Sequence, residues 1–415
     1  MPRKVKVVIA LEHRFLGTPD GAVWTDGSYA RPFWDRYLAA FEAVTILARV
    51  RRVDRPAPRW RRVDDPVVGV HAVPDYQGPE QYLQRRSSIR SAVLGAVGQD
   101  AAFILRVPGH IGTIAASMLA ERGRLFSLEV VGDPWDGFAP RASRHPLRAF
   151  FRWWFSRALR LQCARAANVL YVTQHYLQRR YPPRVARDGQ AVPTSLGVSD
   201  VELSESAFAT SGRPVRDLST RPVRVASIGA MNQPYKGFAE LITAVAACRS
   251  EKLDLQLTLV GDGPLRPQLE QQAHSLGIGE HVRFVGQLPA GQAVREELDR
   301  ADIYVQASLV EGLPRALVEA MGRGCPCIAT EVGGIPELLS AEFLVAPRRP
   351  AQLAAAIKAL ACNSERQREA SKRNIETART FGEENLAPRR LAFHRAVIAT
   401  HRAWMEMQRR PGRGS

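Results

Sequence analysis

Two glutamates, Glu311 and Glu319, stand eight positions apart in the stretch Glu-Gly-Leu-Pro-Arg-Ala-Leu-Val-Glu. The spacing predicts that the first lies in a loop and that the second lies in a helix beginning near Pro314. Gly312 would let a ligand approach the backbone closely, and the amides at a helix N-terminus suit a diphosphate. A carboxylate can accept two hydrogen bonds from a ribose diol. The motif therefore favours a site for a phosphorylated ligand that carries hydroxyl groups.

A simpler interpretation makes Glu319 a solvated helix charge and Glu311 a loop charge, and for an isolated pair of glutamates it would be preferred. Here the residues around Glu319 predict a helix that is apolar nearly all round, and therefore buried. They are Ala316, Leu317, Val318, Ala320 and Met321. A buried carboxylate needs a partner, so the composition of this helix favours a functional role for Glu319.

Lys236 is the basic residue best placed to join these glutamates. It opens a segment with helical apolar spacing, Lys236–Cys248. It could be an ordinary surface lysine at the start of a helix. A cation at a helix N-terminus opposes the helix dipole unless an anion is also present, which makes that alternative unattractive.

The elements that must position these residues are clearest in the C-terminal half. Short β-branched runs alternate with stretches of helical spacing from Val223 onwards, which predicts a parallel sheet with helices on both faces. In such a sheet, ligands bind beyond the carboxyl ends of the strands. Gly- and Pro-rich segments follow the predicted strands and should lie on one edge: residues 229–237, 261–264, 286–289, 308–314 and 330–334.

The first half predicts a separate α/β domain, because 415 residues exceed one ordinary core. Its predicted helices include Phe33–Phe41, and an Arg- and Pro-rich loop covers Arg51–Arg62. Its predicted strands are Val5–Ala10, Val44–Val50, Phe103–Val107, Leu125–Val131 and Val169–Thr173.

The stretch 311–339 resembles the signature of retaining GT-B glycosyltransferases of the group 1, or family-four, type. Tyr235-Lys236-Gly237-Phe238, residues 260–264 and residues 284–286 stand in the order and spacing of that family, and the resemblance covers roughly residues 195–385. It implies an α/β fold with two Rossmann-like domains whose parallel sheets face across a cleft. We expect an N-terminal acceptor-side domain over residues 1–198, a linker over 199–222, and a nucleotide-sugar-binding domain over 223–383. A C-terminal helix at about 384–408 would then pack back on the first domain.

The resemblance also implies roles for individual residues. Glu319 would hold the donor ribose, Glu311 would contact the transferred sugar, and Lys236 would neutralise the departing nucleotide diphosphate. The other donor-binding residues that it implies are the amides of Gly312 and Leu313 at the diphosphate, Val285 and Gly286 at the base, and Gly261.

The sequence departs from the family at Ala230, where an Arg usually stands six positions before the lysine. One cation of a two-cation clamp on the diphosphate is therefore missing. Arg315 or an arginine from the first half could substitute for it, or the donor could be held more weakly.

Three residues of the first half are weaker candidates. Thr25 ends a Gly-containing loop that resembles the family's loop facing the donor and acceptor, and an ordinary surface loop is equally plausible. His110 stands where the family often places a polar residue near the reacting sugar, and it could instead be structural. Asp133 follows a predicted strand and could touch the acceptor or cap a turn.

The net charge of +17 is unevenly distributed, because residues 1–200 carry 30 Lys and Arg against 17 Asp and Glu. The segment 144–161 contributes Arg144, Arg148 and Arg152 at helical spacing, with Leu147, Phe150, Phe151 and Trp154 opposite. It predicts either an interfacial helix on an anionic membrane or a helix packed on its own domain. A nucleic-acid partner is not expected, because the chain carries no motif for one.

The remaining features concern compartment and chemistry. Five scattered cysteines, no signal peptide and no apolar stretch long enough to span a bilayer predict a cytoplasmic protein, peripheral at most on the inner face of the membrane. No Asp-x-Asp triplet is present, so we expect neither a metal nor another cofactor. A glycan or lipid-linked acceptor in capsule, exopolysaccharide or lipopolysaccharide synthesis fits the resemblance. The alternatives are a sugar-nucleotide epimerase, a phosphorylase or a basic nucleic-acid-binding protein.

Overall fold

A computed structural model describes residues 5–140, 145–184, 194–210, 213 and 221–409. The chain divides into two compact units. Unit 1 comprises residues 1–132, 154–198 and 387–415, and unit 2 comprises residues 133–153 and 199–386. The last part of the chain therefore belongs to the same unit as its first part.

The described residues of unit 1 form a nine-stranded sheet. Its strands are β1 (Val7–Gly17), β2 (Val23–Thr25), β3 (Val44–Arg52), β4 (Arg61–Arg62), β5 (Val68–Pro74), β6 (Ala102–Val107), β7 (Ser127–Val130), β8 (Asn168–Tyr171) and β9 (Thr194–Gly197). Seven of them pair in parallel in the order β5-β3-β1-β6-β7-β8-β9. β2 pairs antiparallel with the last residues of β1, and β4 pairs antiparallel with β2. These two short strands therefore lie at the carboxyl end of β1.

Helices lie between these strands along the chain. They are α1 (Asp35–Leu38), α2 (Gly78–Val97), α3 (His110–Glu121), α4 (Pro134–Gly137), α5 (Arg148–Arg165) and α6 (Tyr176–Arg180). Of these, α4 and residues 148–153 of α5 belong to unit 2. A 3₁₀ turn, Arg31–Trp34, precedes α1, so the predicted helix Phe33–Phe41 is shorter and tighter than expected. Ile89 and Val93 of α2 and Leu119 of α3 are fully buried in one core with the strands.

The described residues of unit 2 form a six-stranded parallel sheet. Its strands are β10 (Val223–Ile228), β11 (Leu255–Val260), β12 (Val282–Gly286), β13 (Ile303–Gln306), β14 (Cys327–Thr330) and β15 (Leu344–Val345). Their order is β12-β11-β10-β13-β14-β15, so the strand order reverses between β10 and β13. Loops at such a switch point form the ligand-binding edge of a doubly wound sheet.

The helices that follow are α7 (Phe238–Ser250), α8 (Arg266–Ser275), α9 (Gln292–Arg300), α10 (Arg315–Gly322), α11 (Pro350–Ala361), α12 (Ser364–Arg379) and α13 (Glu383–Arg409). From Ala387 onwards α13 belongs to unit 1, where Trp404 Nε1 donates to the Gly123 carbonyl at 2.9 Å. Four cysteines are buried and Cys362 is exposed, all as free thiols. The two sheets, which are parallel except at β2 and β4, confirm the predicted α/β fold class.

Candidate active site

Three strand ends meet through glycine backbone at the carboxyl edge of the unit 2 sheet. The amide of Gly229 donates to the Val260 carbonyl, and the amide of Gly261 donates to the Gly286 carbonyl, both at 2.9 Å. Gly261 has a φ of 135°, and a Cβ there would lie 1.9 Å from the Gly229 carbonyl oxygen. Only glycine fits at this position, so Gly261 could contact a donor only through its backbone atoms.

Lys236 does not open α7, which corrects the predicted helix start. It ends a 3₁₀ turn, Pro234–Lys236, and α7 begins two residues later at Phe238. The intervening Gly237 has a φ of 71°, and a Cβ on it would lie 1.9 Å from the Ala307 carbonyl oxygen. The left-handed conformation of Gly237 separates the turn from α7. The absence of a side chain on Gly237 lets the turn pack closely against Ala307, the residue that follows β13.

Lys236 and Glu311 form an ion pair, with Lys236 Nζ 2.5 Å from Glu311 Oε1. The same oxygen accepts from Ser308 Oγ at 2.9 Å and from Gln306 Nε2 at 3.2 Å. Neither polar residue was among the predicted site residues. Gln306 is in turn held by the buried Tyr304, whose hydroxyl donates to Gln306 Oε1 at 2.7 Å. The carboxylate of Glu311 is therefore fixed by three donors on a single oxygen.

The loop that carries Glu311 packs against Gly333 and Gly334. The amide of Gly334 donates to the Gly312 carbonyl at 2.7 Å. Gly333 has a φ of 56°, and a Cβ on it would lie 1.8 Å from the Glu311 carbonyl oxygen. Gly312 and Leu313 are half-buried and lead directly into α10, whose first amides have no partner inside the helix.

Glu319 is less buried than the sequence indicated. Leu317, Val318 and Ala320 are buried, whereas Ala316 is half-buried and Arg315 is exposed, so α10 has one accessible side. The Glu319 side chain is 22% exposed, and its carboxylate lies 3.8 Å from Arg315 Nη1. Burial raises the pKa of Glu319, while the charges of Arg315 and Arg295 oppose the shift. The accessible side of α10 thus presents a carboxylate with two cations near it.

The predicted base-binding residues end β12. Val285 is half-buried, and Gly286 adopts a φ of 83° beside Arg266 and Asp262. Arg266 pairs with Glu270 at 2.7 Å. Arg315, named above as a possible replacement for the missing arginine, lies beside Glu319.

In unit 1, the predicted residue Thr25 is fully buried. Its hydroxyl lies 3.1 Å from His13 Nε2 and accepts from the Gly27 amide at 3.0 Å. The hydroxyl is therefore engaged within unit 1, and a donor contact by Thr25 stays a prediction.

His110 is the first residue of α3 in unit 1 and is enclosed by rings. It stacks on Tyr82 and meets Phe155 edge-on, with ring centroids 4.8 Å apart in each case. Burial lowers the pKa of His110, and the nearby charge of Glu12 opposes that effect. Glu12, which the sequence did not single out, also accepts from the Ile111 amide at 2.7 Å. These contacts suit a neutral imidazole, and its catalytic role stays a prediction.

Asp133, in unit 2, caps a helix. Its Oδ1 accepts from the Trp135 amide at 2.8 Å, and it precedes α4. Across the described ranges, no three His, Cys, Asp or Glu side chains are grouped so as to hold a metal ion. In the same ranges, every helix is too short or too polar to cross a bilayer.

The chain is similar in sequence to known proteins, most clearly in its C-terminal half. Residues 222–363 match the family model described as glycosyl transferases group 1. Protein CapJ of Staphylococcus aureus is 26% identical over 328 residues, which are 77% of this chain and 78% of CapJ. The amylovoran biosynthesis glycosyltransferase AmsK of Erwinia amylovora is 32% identical over 151 residues, 34% of this chain and 37% of AmsK.

Solved structures share the fold over nearly the whole chain. Sucrose-phosphate synthase from Thermosynechococcus elongatus has a TM-score of 0.70 at 18% identity and covers 95% of this chain and 100% of its own. HepE from Anabaena, solved with UDP and glucose, has a TM-score of 0.60 at 16% identity. The match covers 98% of this chain and 100% of the HepE chain. The chain is therefore a glycosyltransferase of the GT-B fold, and its residues 222–363 form a group 1 glycosyltransferase domain.

Proposed function

We propose that this glycosyltransferase moves a sugar from a nucleotide sugar to an acceptor hydroxyl with retention of the anomeric configuration. The observation that carries the proposal is the Lys236–Glu311 ion pair at the entry to α10, 2.5 Å between Nζ and Oε1. A fixed cation beside free helix amides is the arrangement that stabilises a departing diphosphate.

The donor would lie along the carboxyl edge of the unit 2 sheet, where a different residue would contact each of its parts. Glu319 accepts hydrogen bonds from the ribose hydroxyls, and Val285 and Gly286 lie against the base. The diphosphate rests on the amides that open α10, where the helix dipole favours negative charge. Glu311 contacts the transferred sugar with the carboxylate oxygen that Lys236 does not occupy.

The chemical step exchanges one bond for another at the anomeric carbon. The bond from that carbon to the diphosphate oxygen breaks, and a bond from the same carbon to the acceptor oxygen forms. The departing diphosphate takes the proton of the acceptor hydroxyl, so the reaction needs no further base. Lys236 and the α10 amides stabilise the charge that develops on the leaving group.

The acceptor, in this proposal, is a growing cell-surface glycan, as in capsule, exopolysaccharide or lipopolysaccharide synthesis. Support comes from AmsK, an amylovoran biosynthesis enzyme by name, and the UDP complex of HepE makes UDP-sugars the first donors to examine. The free thiols of all five cysteines fit a cytoplasmic enzyme.

A donor screen tests the proposal. The chain would be mixed with UDP-, GDP- and ADP-sugars, thermal stability would be measured, and the product of the stabilising donor would be examined by NMR. We expect one nucleotide class to raise the melting temperature and the product to keep the anomeric configuration of the donor. A product of inverted configuration would refute retention, and the absence of any stabilising donor would refute the donor site.

A second proposal concerns α5 and the preceding residues, of which Arg144 lies outside the described ranges. Phe155, Leu159 and Cys163 are buried, so this side of the helix packs within the protein. The other side exposes 51% of Phe150 and 55% of Trp153. We propose that these exposed aromatic residues contact the headgroup region of an anionic membrane.

Co-sedimentation with vesicles of phosphatidylglycerol and phosphatidylcholine tests the membrane contact. Replacing Phe150 and Trp153 with Ser should weaken binding about tenfold or more, because two large apolar side chains leave the interface. The matched control replaces Leu83 and Leu276, also exposed, with Ser. Equal losses in both variants, or no binding by the unaltered protein, would refute the contact.

A further inference from the structure

Residues 51–62 of unit 1, here called the arginine loop, form a strongly basic segment that the proposed donor site does not use. The loop contains six arginines and one acidic residue, Asp54. All six arginines are exposed. Such an imbalance within twelve residues creates a local positive potential, which an anionic ligand would relieve.

The fold anchors the arginine loop at both ends. Its first two residues end β3, where Arg51 and Arg52 stand opposite Leu16 and Gly17 of β1. Its last two residues form β4, which pairs with Trp24 and Thr25 of β2. A turn in between is closed by a hydrogen bond from the Trp60 amide to the Ala57 carbonyl at 2.9 Å, and prolines stand at 56 and 58. The guanidinium groups are therefore displayed from a backbone that is largely ordered in advance.

Four of the six arginines have no protein partner within the described ranges. Arg62 pairs with Asp64 at 3.2 Å, and Arg61 donates to the Gly27 carbonyl at 2.8 Å. The arginines without such a partner are Arg51, Arg52, Arg55 and Arg59. Their donors remain available to a ligand, and a planar guanidinium binds carboxylate or phosphate through two parallel hydrogen bonds.

The position of the arginine loop connects it to the acceptor side. β3 runs parallel to β1, and the loop follows its carboxyl end, which is the ligand-binding edge of such a sheet. β4 pairs directly with β2, the strand of Thr25. Residues 51–62 also lie within the N-terminal part of the chain, where the resemblance predicts the acceptor-side domain.

We propose that the arginine loop binds the carboxylate or phosphate groups of an acidic glycan acceptor. This inference rests on the proposed function, since it names the chemical class of that acceptor. A membrane surface fits less well, because residues 51–62 expose no large apolar side chain and interfacial binding needs both charge and apolar anchors. A single-stranded nucleic acid would need exposed stacking rings, whereas Trp60 is half-buried.

Binding of oligogalacturonate, a chain with one carboxylate on each sugar, tests the proposal without any transfer. The affinity would be measured at two salt concentrations for the unaltered protein and for the variant R51Q/R52Q/R55Q/R59Q. We expect the variant to bind oligogalacturonate at least about tenfold more weakly than the unaltered protein. Its binding should also depend less on salt, because four charged donors are lost. A neutral dextran oligosaccharide should not compete.

The matched control, R86Q/R90Q/R349Q/R379Q, removes the same charge from exposed positions elsewhere. An equal loss of affinity in this control would overturn the proposal, because net charge alone would explain it. Stronger loss of binding to phosphatidylglycerol vesicles or to single-stranded RNA than to oligogalacturonate would also overturn it. The donor screen reports the proposed function separately, since unit 2 is unaltered in R51Q/R52Q/R55Q/R59Q.

Discussion

Lys236 and Glu311 hold each other in place through charge. The lysine contacts one carboxylate oxygen, which also accepts from Ser308 and Gln306. An ammonium group has three donors, so two remain for other acceptors. The pair therefore keeps the cation oriented before any ligand arrives, which would avoid reorganisation during the proposed transfer.

Replacing Lys236 with Met should lower kcat about 10²–10³-fold, because a positioned cation is lost where charge develops on the leaving group. The dissociation constant of the donor should change far less, since several other groups hold it. Single-turnover rates and calorimetric titration would separate the two quantities. Lys372→Met, an exposed lysine of α12, is the control. A rise in the dissociation constant equal to the fall in kcat would contradict the assigned role.

Replacing Glu319 with Gln should weaken donor binding about tenfold to a hundredfold, because hydrogen bonds to a charged acceptor are among the stronger ones. Burial raises the pKa of Glu319, so its carboxylate is protonated at a higher pH than that of an ordinary glutamate. The affinity of the unaltered protein should therefore fall as the pH drops through that raised pKa, and the variant should lose this dependence. Glu280→Gln, at an exposed position, is the control. Identical pH profiles for all three proteins would exclude the role of Glu319.

Among the elements, the turn Pro234–Lys236 determines where the ammonium group of Lys236 lies. Its position depends on Gly237, because a side chain there would collide with the Ala307 carbonyl. The turn is also tied to the loop after β13 by the hydrogen bond from the Leu309 amide to the Tyr235 carbonyl at 2.7 Å. A short, irregular element is thus held by backbone contacts from two neighbours.

Gly237→Ala should displace this turn and abolish most of the transfer activity. Gly277 offers a matched control, because its φ of 70° is nearly that of Gly237 while no atom lies within 4 Å of its Cβ position. Gly277→Ala should cost only about 1–2 kcal/mol of stability, from the left-handed backbone alone. Urea unfolding and initial rates would measure both effects. Equal losses of activity in the two variants would show that the Ala307 contact is unimportant.

The sequence predicted the strand and helix alternation of unit 2 well, because apolar residues recur along its strands, at alternate positions in β11 and at neighbouring positions in β13 and β14. It also placed Glu311 and Lys236 on one edge of the sheet. It missed Gln306 and Ser308, since polar residues at a strand end look alike whether they face solvent or a carboxylate. It did not show that Thr25 is buried, because β2 has only three residues and pairs with β1 beyond a break in register.

At the scale of the whole molecule, α13 belongs mostly to unit 1 although the chain reaches it last. Its His394 is fully buried, stacked on Tyr37 with ring centroids 5.0 Å apart and 5.5 Å from Phe41. In the described part of the chain, neither ring nitrogen of His394 has a hydrogen-bond partner. The apolar surroundings therefore hold this imidazole in its neutral form.

Burial, with smaller contributions from Arg390 and Arg36, lowers the pKa of His394 to about 3. Between that value and about 6.5 the unfolded chain binds the proton and the folded chain does not, so stability falls as the pH drops through this range. The slope should be at most about 1.4 kcal/mol per pH unit. We expect His394→Phe to remove this part of the pH dependence in urea unfolding at pH 5 and pH 7.

The exposed His274 provides the control, since His274→Gln also removes a histidine but leaves the rings around Tyr37 and Phe41 in place. If His394→Phe unfolded with the same pH dependence as the unaltered protein, the neutral, buried histidine would not be a determinant of acid stability.

The return of α13 to unit 1 has a consequence for synthesis on the ribosome. The ring cluster around Tyr37 and Phe41 stays uncovered until residues 387–409 have emerged, after every residue of unit 2. Unit 2 can complete its core first, whereas the half translated earliest must wait with apolar surface open to chaperones. Removal of residues 387–409 should therefore destabilise unit 1, although the strands of that unit stand far earlier in the chain.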